Sequence, residues 1–129
     1  MKINQTEIIL YVSNQEKSKI FYETLLNKKP SLDVLGMTEF TLNKFLKIGI
    51  MPNDGIAKII SPKMPHPNTG TGIPRCELYL IVDNLEKNFE KMLKNGATLV
   101  KPISKMDWNH TVGYLADYDG HIIALAKTT

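Results

Sequence analysis

The segment EIILYVSNQEK, residues 7–17, returns later in the chain as ELYLIVDNLEK, residues 77–87. Each copy reads as a β-strand that runs directly into a capped helix, with apolar and other side chains alternating along the strand. The identical pairs in and before these segments are Ile3/Ile73, Glu7/Glu77, Leu10/Leu80, Val12/Val82, Asn14/Asn84, Glu16/Glu86 and Lys17/Lys87. Two copies of one supersecondary unit predict a pseudo-symmetric fold, with a ligand site where the copies meet.

Composition limits the classes of protein to consider. The 129 residues, 43% hydrophobic and 22% charged, fit one soluble globular domain. No apolar run approaches the roughly 20 residues that span a bilayer, and the N-terminus has no apolar signal core, so we expect a cytoplasmic protein without membrane partners. The single cysteine, Cys76, agrees with a reducing compartment. The net charge is only +3 and Arg75 is the one arginine among scattered lysines, so we expect no nucleic-acid partner.

The first half predicts one strand, one helix and three further strands. The strand covers residues 6–12, and Ser13 with Glu16 has the spacing of a capping box for a helix that ends near residue 27. Strands are predicted at 31–35, 37–42 and 45–51. The segment 52–74 contains five prolines and three glycines, and we interpret it as a linker with one short extended piece at 56–60.

The second half repeats the order. A strand at 75–82 leads to a second capping box, Asp83 with Glu86, and to a helix that ends at Asn95-Gly96. Strands follow at 98–101, 111–117 and 121–127, with a turn at Asp119-Gly120. The chain is therefore predicted to be a single domain, 1–129, made of half-modules 1–51 and 75–129 joined by the linker 52–74.

Several motifs in this order resemble the vicinal oxygen chelate superfamily, also called the glyoxalase, bleomycin-resistance and dioxygenase family. The opening ILYVS at 9–13 with SKIFY at 18–22 is similar to its first strand and helix. The glycine-rich lead at 70–84 is similar to its fifth strand, and DYDG at 117–120 stands where the family has Asp-Pro-Asp-Gly. The resemblance implies an α+β fold in which two βαβββ modules form a cupped sheet around a pocket, commonly as a homodimer.

The resemblance also implies where a divalent metal would be held in catalytic members, which use His and Glu on the first, fourth, fifth and eighth strands. The matching positions here are Glu7, Gly49, Glu77 and Ala124. Two carboxylates make a poor site for a tightly held transition metal, so no such cofactor is predicted, although a divalent metal on Glu7 and Glu77 is kept as the alternative. The three histidines, at 66, 110 and 121, are placed in the linker, a loop and an exposed turn.

Glu7 and Glu77 are the candidate catalytic residues, because two carboxyls in a partly dry cavity cannot both ionise cheaply and one could carry a proton. They could instead bind a cationic ligand, pair with Arg75, or lie at wet sheet edges. Arg75 shares a strand face with Glu77 and could neutralise it, clamp an anionic ligand, or form a salt bridge at the rim.

The remaining ligand-binding candidates are aromatic. By strand alternation, Tyr11 lies on the same strand face as Glu7, and Tyr79 lies on the same face as Glu77. Trp108 precedes the seventh strand, where it could stack on a planar ligand or pack in the core. Cys76 points to the opposite face and is interpreted as a packing residue rather than a nucleophile.

Together these features predict a glyoxalase/bleomycin-resistance-like protein that binds a small organic ligand, for sequestration or for a metal-free lyase or isomerase step. One alternative is a metal-dependent lyase, isomerase or dioxygenase of the same superfamily. Another is a ligand sensor without chemistry. Whether the protein is an enzyme is left open at this point.

Overall fold

The chain divides into two structural units, and the computed structural model describes all residues from 1 to 129. Unit 1 is Met1–Thr71 and unit 2 is Gly72–Thr129. Each unit contains one four-stranded sheet, and the two sheets repeat the same topology. The predicted α+β fold of two βαβββ modules is confirmed.

Unit 1 has the strand order β1-β4-β3-β2, with β1 parallel to β4 and the other neighbours antiparallel. The parallel pairing follows from the helical crossover that the chain makes after β1. Its elements are β1 (Thr6–Val12), α1 (Gln15–Leu26), β2 (Leu32–Val34), β3 (Met37–Asn43), β4 (Leu46–Pro52), α2 (Asn53–Ile60) and a 3-10 helix (Pro67–Gly70).

Unit 2 has the order β5-β8-β7-β6, again with its outer parallel pair formed by the strand before the helix and the last strand. Its elements are β5 (Glu77–Ile81), α3 (Leu85–Lys94), β6 (Thr98–Lys105), β7 (His110–Ala116) and β8 (Ile122–Thr128). The helix stop predicted at Asn95-Gly96 is confirmed, since Gly96 has φ +101° and the Ala97 N–H returns to the Met92 carbonyl at 3.0 Å.

Both predicted capping boxes are wrong by one residue. In α1 the cap is Asn14, whose side chain accepts a hydrogen bond from the Lys17 N–H at 2.9 Å, so Ser13 lies before the cap. In α3 the residue before the helix is Asn84, which takes a left-handed conformation with φ 52° and makes no side-chain cap. Asparagine tolerates that conformation better than most residues, which lets the helix begin at Leu85 and leaves Asp83 outside it.

The extended piece predicted at 56–60 is also wrong, because these residues belong to α2. The prolines and glycine of the segment suggested a linker, but Ile56 and Ala57 are buried and Ile60 is half-buried while Lys58 and Ile59 are exposed. That spacing is helical rather than alternating. Residues 52–71 therefore add a helix and a 3-10 turn to unit 1.

The hydrophobic core lies on the face of each sheet opposite the two glutamates, although Ile8 at the start of that face is 41% exposed. In unit 1 the core includes Leu10 and Val12, and in unit 2 Leu78 and Leu125, all at most 6% exposed. Gly113 lies on the same face as Leu125, where the Phe89 ring of α3 packs directly against it. None of the helices is both long enough and apolar enough to cross a membrane.

Candidate ligand-binding site

The strand register places Glu7 and Glu77 on the same kind of surface in their own sheets, which we call the glutamate face. In sheet 1 it carries Glu7, Glu39, Lys47 and Gly49, because Glu7 aligns with Lys47 and Glu39 aligns with Gly49. In sheet 2 it carries Glu77, Tyr79, Tyr114 and Ala124, since Ala124 aligns with both tyrosines. Aligned residues on neighbouring strands project to the same side of a sheet. Tyr11 shares the face in sheet 1, beside Met51.

Glu7 is held in an acidic pair with Glu39. Its Oε2 is buried and has no hydrogen-bond partner. Burial, then hydrogen bonding to the Glu39 carboxyl and the charge of that group, raise the pKa of Glu7 above its ordinary value, while the charge of Lys47 acts in the opposite direction. Lys47 Nζ lies 3.6 Å from Glu39 Oε1. The cluster can therefore hold a proton that a lone surface glutamate would lose.

Gly49 makes room for the Glu7 carboxyl. A Cβ built on Gly49 would overlap the Oε2 atom of Glu7, so a larger residue would push this side chain off the sheet. Gly49 is also the fourth-strand position at which the family resemblance implies a metal ligand. In this chain the space belongs instead to the first-strand glutamate.

Unit 2 carries a continuous hydrogen-bonded chain of three aromatic side chains, which we call the Trp-Tyr-His network. Trp108 Nε1–H donates to Tyr79 Oη at 2.9 Å, and Tyr79 Oη lies 2.6 Å from His110 Nδ1. The Tyr79 and His110 rings are also in contact, with centroids 5.7 Å apart. Trp108 remains 51% exposed, so the interpretation of this residue as core packing is wrong.

The placement of His110 in an exposed loop is wrong as well. His110 is the first residue of β7 and is half-buried against Tyr79. Its backbone pairs with Thr128 of β8 and its carbonyl accepts from the Met106 N–H at 2.8 Å, which closes the 106–110 turn that presents Trp108.

Small residues form the sheet surface beside this network. Val112, Ala124 and Ala126 are fully buried, and Tyr79, Met106 and Tyr114 pack against them. Burial, and after it the negative charge of Glu77 and the neighbouring Tyr79, raise the pKa of Tyr114. Tyr114 therefore stays a neutral hydroxyl, available as a hydrogen-bond donor, throughout the physiological pH range.

Arg75 points to the turn at the other end of β8 and forms no ion pair with Glu77. Its Nη2 donates to the Asp119 carbonyl at 2.9 Å and lies 3.3 Å from His121 Nε2. His121 Nδ1 in turn lies 2.7 Å from Asp117 Oδ2. His121 was expected to be exposed, and it is only 3% exposed, because Asp117 holds its ring beneath the turn. These contacts order the 117–121 turn.

Cys76 lies beside the same turn. Burial, and secondarily the charge of Asp117, raise the pKa of its thiol, while the charge of Arg75 acts in the opposite direction. A thiol with a raised pKa is a poor nucleophile at neutral pH. This agrees with the interpretation of Cys76 as a packing residue.

The donor set does not fit a tightly held transition metal. Nowhere in the chain do three or more His, Cys, Asp or Glu side chains come together in a group that could hold a metal ion. The positions Gly49 and Ala124 supply no ligating side chain, and Glu7 is hydrogen-bonded to the Glu39 carboxyl rather than grouped with imidazoles.

Comparison with known proteins identifies the family. A family model described as a glyoxalase-like domain matches residues 5–128. The chain belongs to this family. It is thereby a member of the vicinal oxygen chelate superfamily, as the motifs had indicated. A search of curated proteins finds no significant match.

Solved structures with low sequence identity share the fold. A glyoxalase-related enzyme from Fulvimarina pelagi is 19% identical, with a TM-score of 0.79 over 95% of this chain and 86% of that one. A hypothetical protein from S. aureus is 17% identical, with a TM-score of 0.80 over 98% and 95% of the two chains. A glyoxalase/bleomycin resistance protein/dioxygenase family enzyme from Burkholderia phytofirmans PsJN is 13% identical, with a TM-score of 0.80 over 95% and 97%. At these identities the likeness concerns the fold alone.

Proposed function

We propose that this glyoxalase-like protein binds a small planar organic molecule through the Trp-Tyr-His network, without a tightly held metal. The observation that carries the proposal is the half-exposed Trp108, whose indole N–H is fixed by Tyr79. Ordering a large aromatic ring that stays in water gains little for folding by itself. A ring held in one orientation is, however, a ready surface for stacking a flat ligand.

A proton count indicates what the ligand should offer. Trp108, Tyr79 and neutral His110 together carry three N–H or O–H donors, and the two bonds within the network use two of them. If Tyr79 donates to His110 Nδ1, the Nε2–H of His110 is spare. If His110 Nδ1 is the donor, the hydroxyl proton of Tyr79 is spare. In both tautomers one donor is left for a ligand oxygen such as a carbonyl, and Tyr114 supplies a further hydroxyl nearby.

Glu7 and Glu77 remain the candidate acids of the proposal. Burial, and after it the neighbouring Glu39 carboxyl, raise the pKa of Glu7, so this group keeps its proton to a higher pH than an isolated glutamate does. Two uses are compatible with this chemistry: sequestration of the ligand, or a metal-free proton-transfer step in a lyase or isomerase reaction. Only turnover of a bound compound distinguishes the second use from the first.

The binding proposal can be tested on the single tryptophan by NMR, because the protein has only one indole N–H signal. Acetophenone supplies a planar ring with a carbonyl acceptor, and ethylbenzene is its near-isosteric analogue without the acceptor. We expect acetophenone to shift the Trp108 indole signal saturably and more tightly than ethylbenzene. Equal affinities would contradict the role of the spare donor, and no saturable shift with either compound would contradict this site.

Matched tyrosine variants test the same idea. Tyr79→Phe removes the central hydroxyl and should weaken acetophenone binding about tenfold, the effect of one lost hydrogen bond in a partly buried site. Tyr118→Phe removes a hydroxyl from the turn at the opposite end of β7 and should leave the affinity unchanged. Metal analysis of the purified protein is the companion measurement: near-stoichiometric nickel, zinc, manganese or iron would favour the metal-dependent alternative.

A further inference from the structure

Sheet 2 carries an acid without an ion pair on the same face as the Trp-Tyr-His network. Glu77 precedes Tyr79 by two residues on β5, so the two side chains lie on the glutamate face about 7 Å apart along the strand. The Glu77 side chain is exposed and takes part in none of the ion pairs of the chain. Arg75, which the sequence suggested as its partner, donates instead to the Asp119 carbonyl at 2.9 Å. No basic side chain of the protein therefore neutralises Glu77.

The charge of Glu77 acts on the aromatic surface beside it. Tyr79 and Tyr114 align with Ala124 from its two neighbouring strands and pack over it, and both tyrosines are half-buried. Burial is the first cause that raises the pKa of Tyr114, and the charge of Glu77 is the second. Lys101, the basic residue aligned with Tyr114, is exposed on β6, which lies beyond β7 and away from β5. The surface formed by the two tyrosines therefore has a negative electrostatic potential, to which the electron-rich ring faces contribute.

We infer, on the basis of the binding proposal above, that the ligand is a cation: a flat carbonyl compound with an ammonium group about one ring away from the carbonyl oxygen. The donor left over in the Trp-Tyr-His network binds the carbonyl, and the ammonium group pairs with Glu77. A neutral ligand would displace water from Glu77 without replacing its hydrogen bonds, and an anion would be repelled. A cation avoids both costs and is attracted to the ring faces of the tyrosines. The spacing of Glu77 and Tyr79 along β5 sets the distance between the two groups.

The inference can be tested by NMR titration of the full chain, observed at the Trp108 indole N–H. The probe is para-(aminomethyl)acetophenone, which carries an ammonium group at neutral pH. The neutral control is para-ethylacetophenone, in which a methyl group replaces the ammonium group, and para-acetylphenylacetate is the anionic control. We expect the cation to bind about fivefold more tightly than the neutral compound at low salt, the effect of one exposed charge pair, and the anion to bind most weakly. The advantage of the cation should decrease at high salt.

Matched glutamate variants assign this preference to one residue. Glu77→Gln keeps the size of the side chain and removes its charge, so it should reduce the preference for the cation to less than about twofold. Glu90→Gln makes the same change of net charge at an exposed position of α3, the helix that packs on the opposite face of sheet 2, and should keep the preference of about fivefold. Both positions are exposed, so both variants should fold.

The possible results separate this inference from the binding proposal. If the cation and para-ethylacetophenone shift the Trp108 signal saturably with equal affinity in the wild type, the binding proposal stands and the cation inference is wrong. The inference is also wrong if the preference persists in full in Glu77→Gln, or if Glu90→Gln abolishes it, because Glu77 would then not be its source. The absence of saturable shifts with all three compounds would overturn the binding proposal and this inference with it.

Discussion

Replacing Asp117 with alanine should unfold the protein far more easily, although the residue lies in a short turn. The carboxylate is almost fully buried and accepts three hydrogen bonds: from the Asp119 N–H and the His121 N–H at 2.9 Å, and from His121 Nδ1 at 2.7 Å. Each such bond contributes about 1 kcal/mol, and more when the acceptor is charged. Because the variant would leave these three donors buried without an acceptor, we expect the free energy of unfolding to fall by about 3–5 kcal/mol.

Urea denaturation followed by circular dichroism measures this loss, which corresponds to a decrease in Tm of about 10–20 °C. Asp107→Ala, at an exposed aspartate, is the control and should change stability by less than about 0.5 kcal/mol. If Asp117→Ala costs no more than the control variant, the buried network does not stabilise the turn and the reasoning fails.

The tautomer of His121 gives the same prediction a second readout. In the wild type, Arg75 donates to His121 Nε2, so the imidazole proton is on Nδ1 and points to Asp117. Asp117→Asn would place an amide N–H against Nδ1 and move the proton to Nε2, where it faces the Arg75 donor. Arg75→Gln offers an acceptor there and should recover part of the loss. Strict additivity of the two substitutions would contradict the tautomer assignment.

Four further predictions concern residues of the two glutamate faces. Gly49→Ala should destabilise the protein by about 1–3 kcal/mol, because the new methyl group meets the Glu7 carboxylate; urea denaturation should show the cost relieved when Glu7→Ala is added. Glu39→Gln should lower the pKa of Glu7 toward its ordinary value, as measured by ¹³C NMR titration. If the pKa does not change, burial alone raises it and the Glu39 carboxyl has no effect. Because the folded-state pKa of Glu7 is raised, its contribution to stability is full at acidic pH and is lost as the pH rises through the raised pKa. The stability of the Glu7→Gln variant should therefore increase relative to that of the wild type as the pH rises. Tyr79→Phe should shift the Trp108 indole N–H signal and speed its exchange with solvent, whereas a silent signal would mean that the bond does not form in solution.

The repeated segment contained enough information to predict the strand-helix-three-strand order of each module, although helix α2 between the modules was missed. Strand alternation and helix spacing are local properties, so the first strand at 6–12 and the stop at Asn95-Gly96 could be predicted from neighbouring residues alone. The first residues of the helices were harder to predict from the sequence. Ser13 and Asn14 are both good capping residues, and the choice between them depends on where the preceding strand ends in three dimensions.

To predict which residues contact the candidate site residues, one needs the pairing register of the strands as well as the alternation of side chains along each strand. Glu39 is adjacent to Glu7 only because the β3–β4 hairpin aligns Glu39 with Gly49. The predicted strands at 37–42 and 45–51 leave residues 43 and 44 as the turn, and counting back from that turn aligns Glu39 with Ile48, on the opposite face of the sheet. A bulge between Thr41 and Asn43 shifts the pairing within this hairpin, so counting from the turn alone gives the wrong partner.

His110 and His121 were missed for a different reason. Both follow turn residues, and such positions are usually exposed. In the structure, however, His110 Nδ1 contacts the hydroxyl of Tyr79, which is distant in sequence, and His121 Nδ1 contacts the buried carboxylate of Asp117. Sequence spacing contains no signal for such contacts. For Arg75 the sequence suggested a contact that does not form. Its position two residues before Glu77 suggested an ion pair on a shared strand face. Because β5 begins only at Glu77, Arg75 lies outside the strand, and its side chain turns to Asp119.

The two modules use the same register position for different chemistry. Glu39 in sheet 1 and Tyr114 in sheet 2 both align with the small residue on the last strand of their modules, Gly49 and Ala124. In sheet 1 burial, and after it the neighbouring Glu39 carboxyl, raise the pKa of Glu7. In sheet 2 burial, and after it the charge of Glu77, raise the pKa of Tyr114. Gly49 leaves the space that the Glu7 carboxyl fills, so the chemistry at this register position depends on which neighbouring strand supplies the polar side chain.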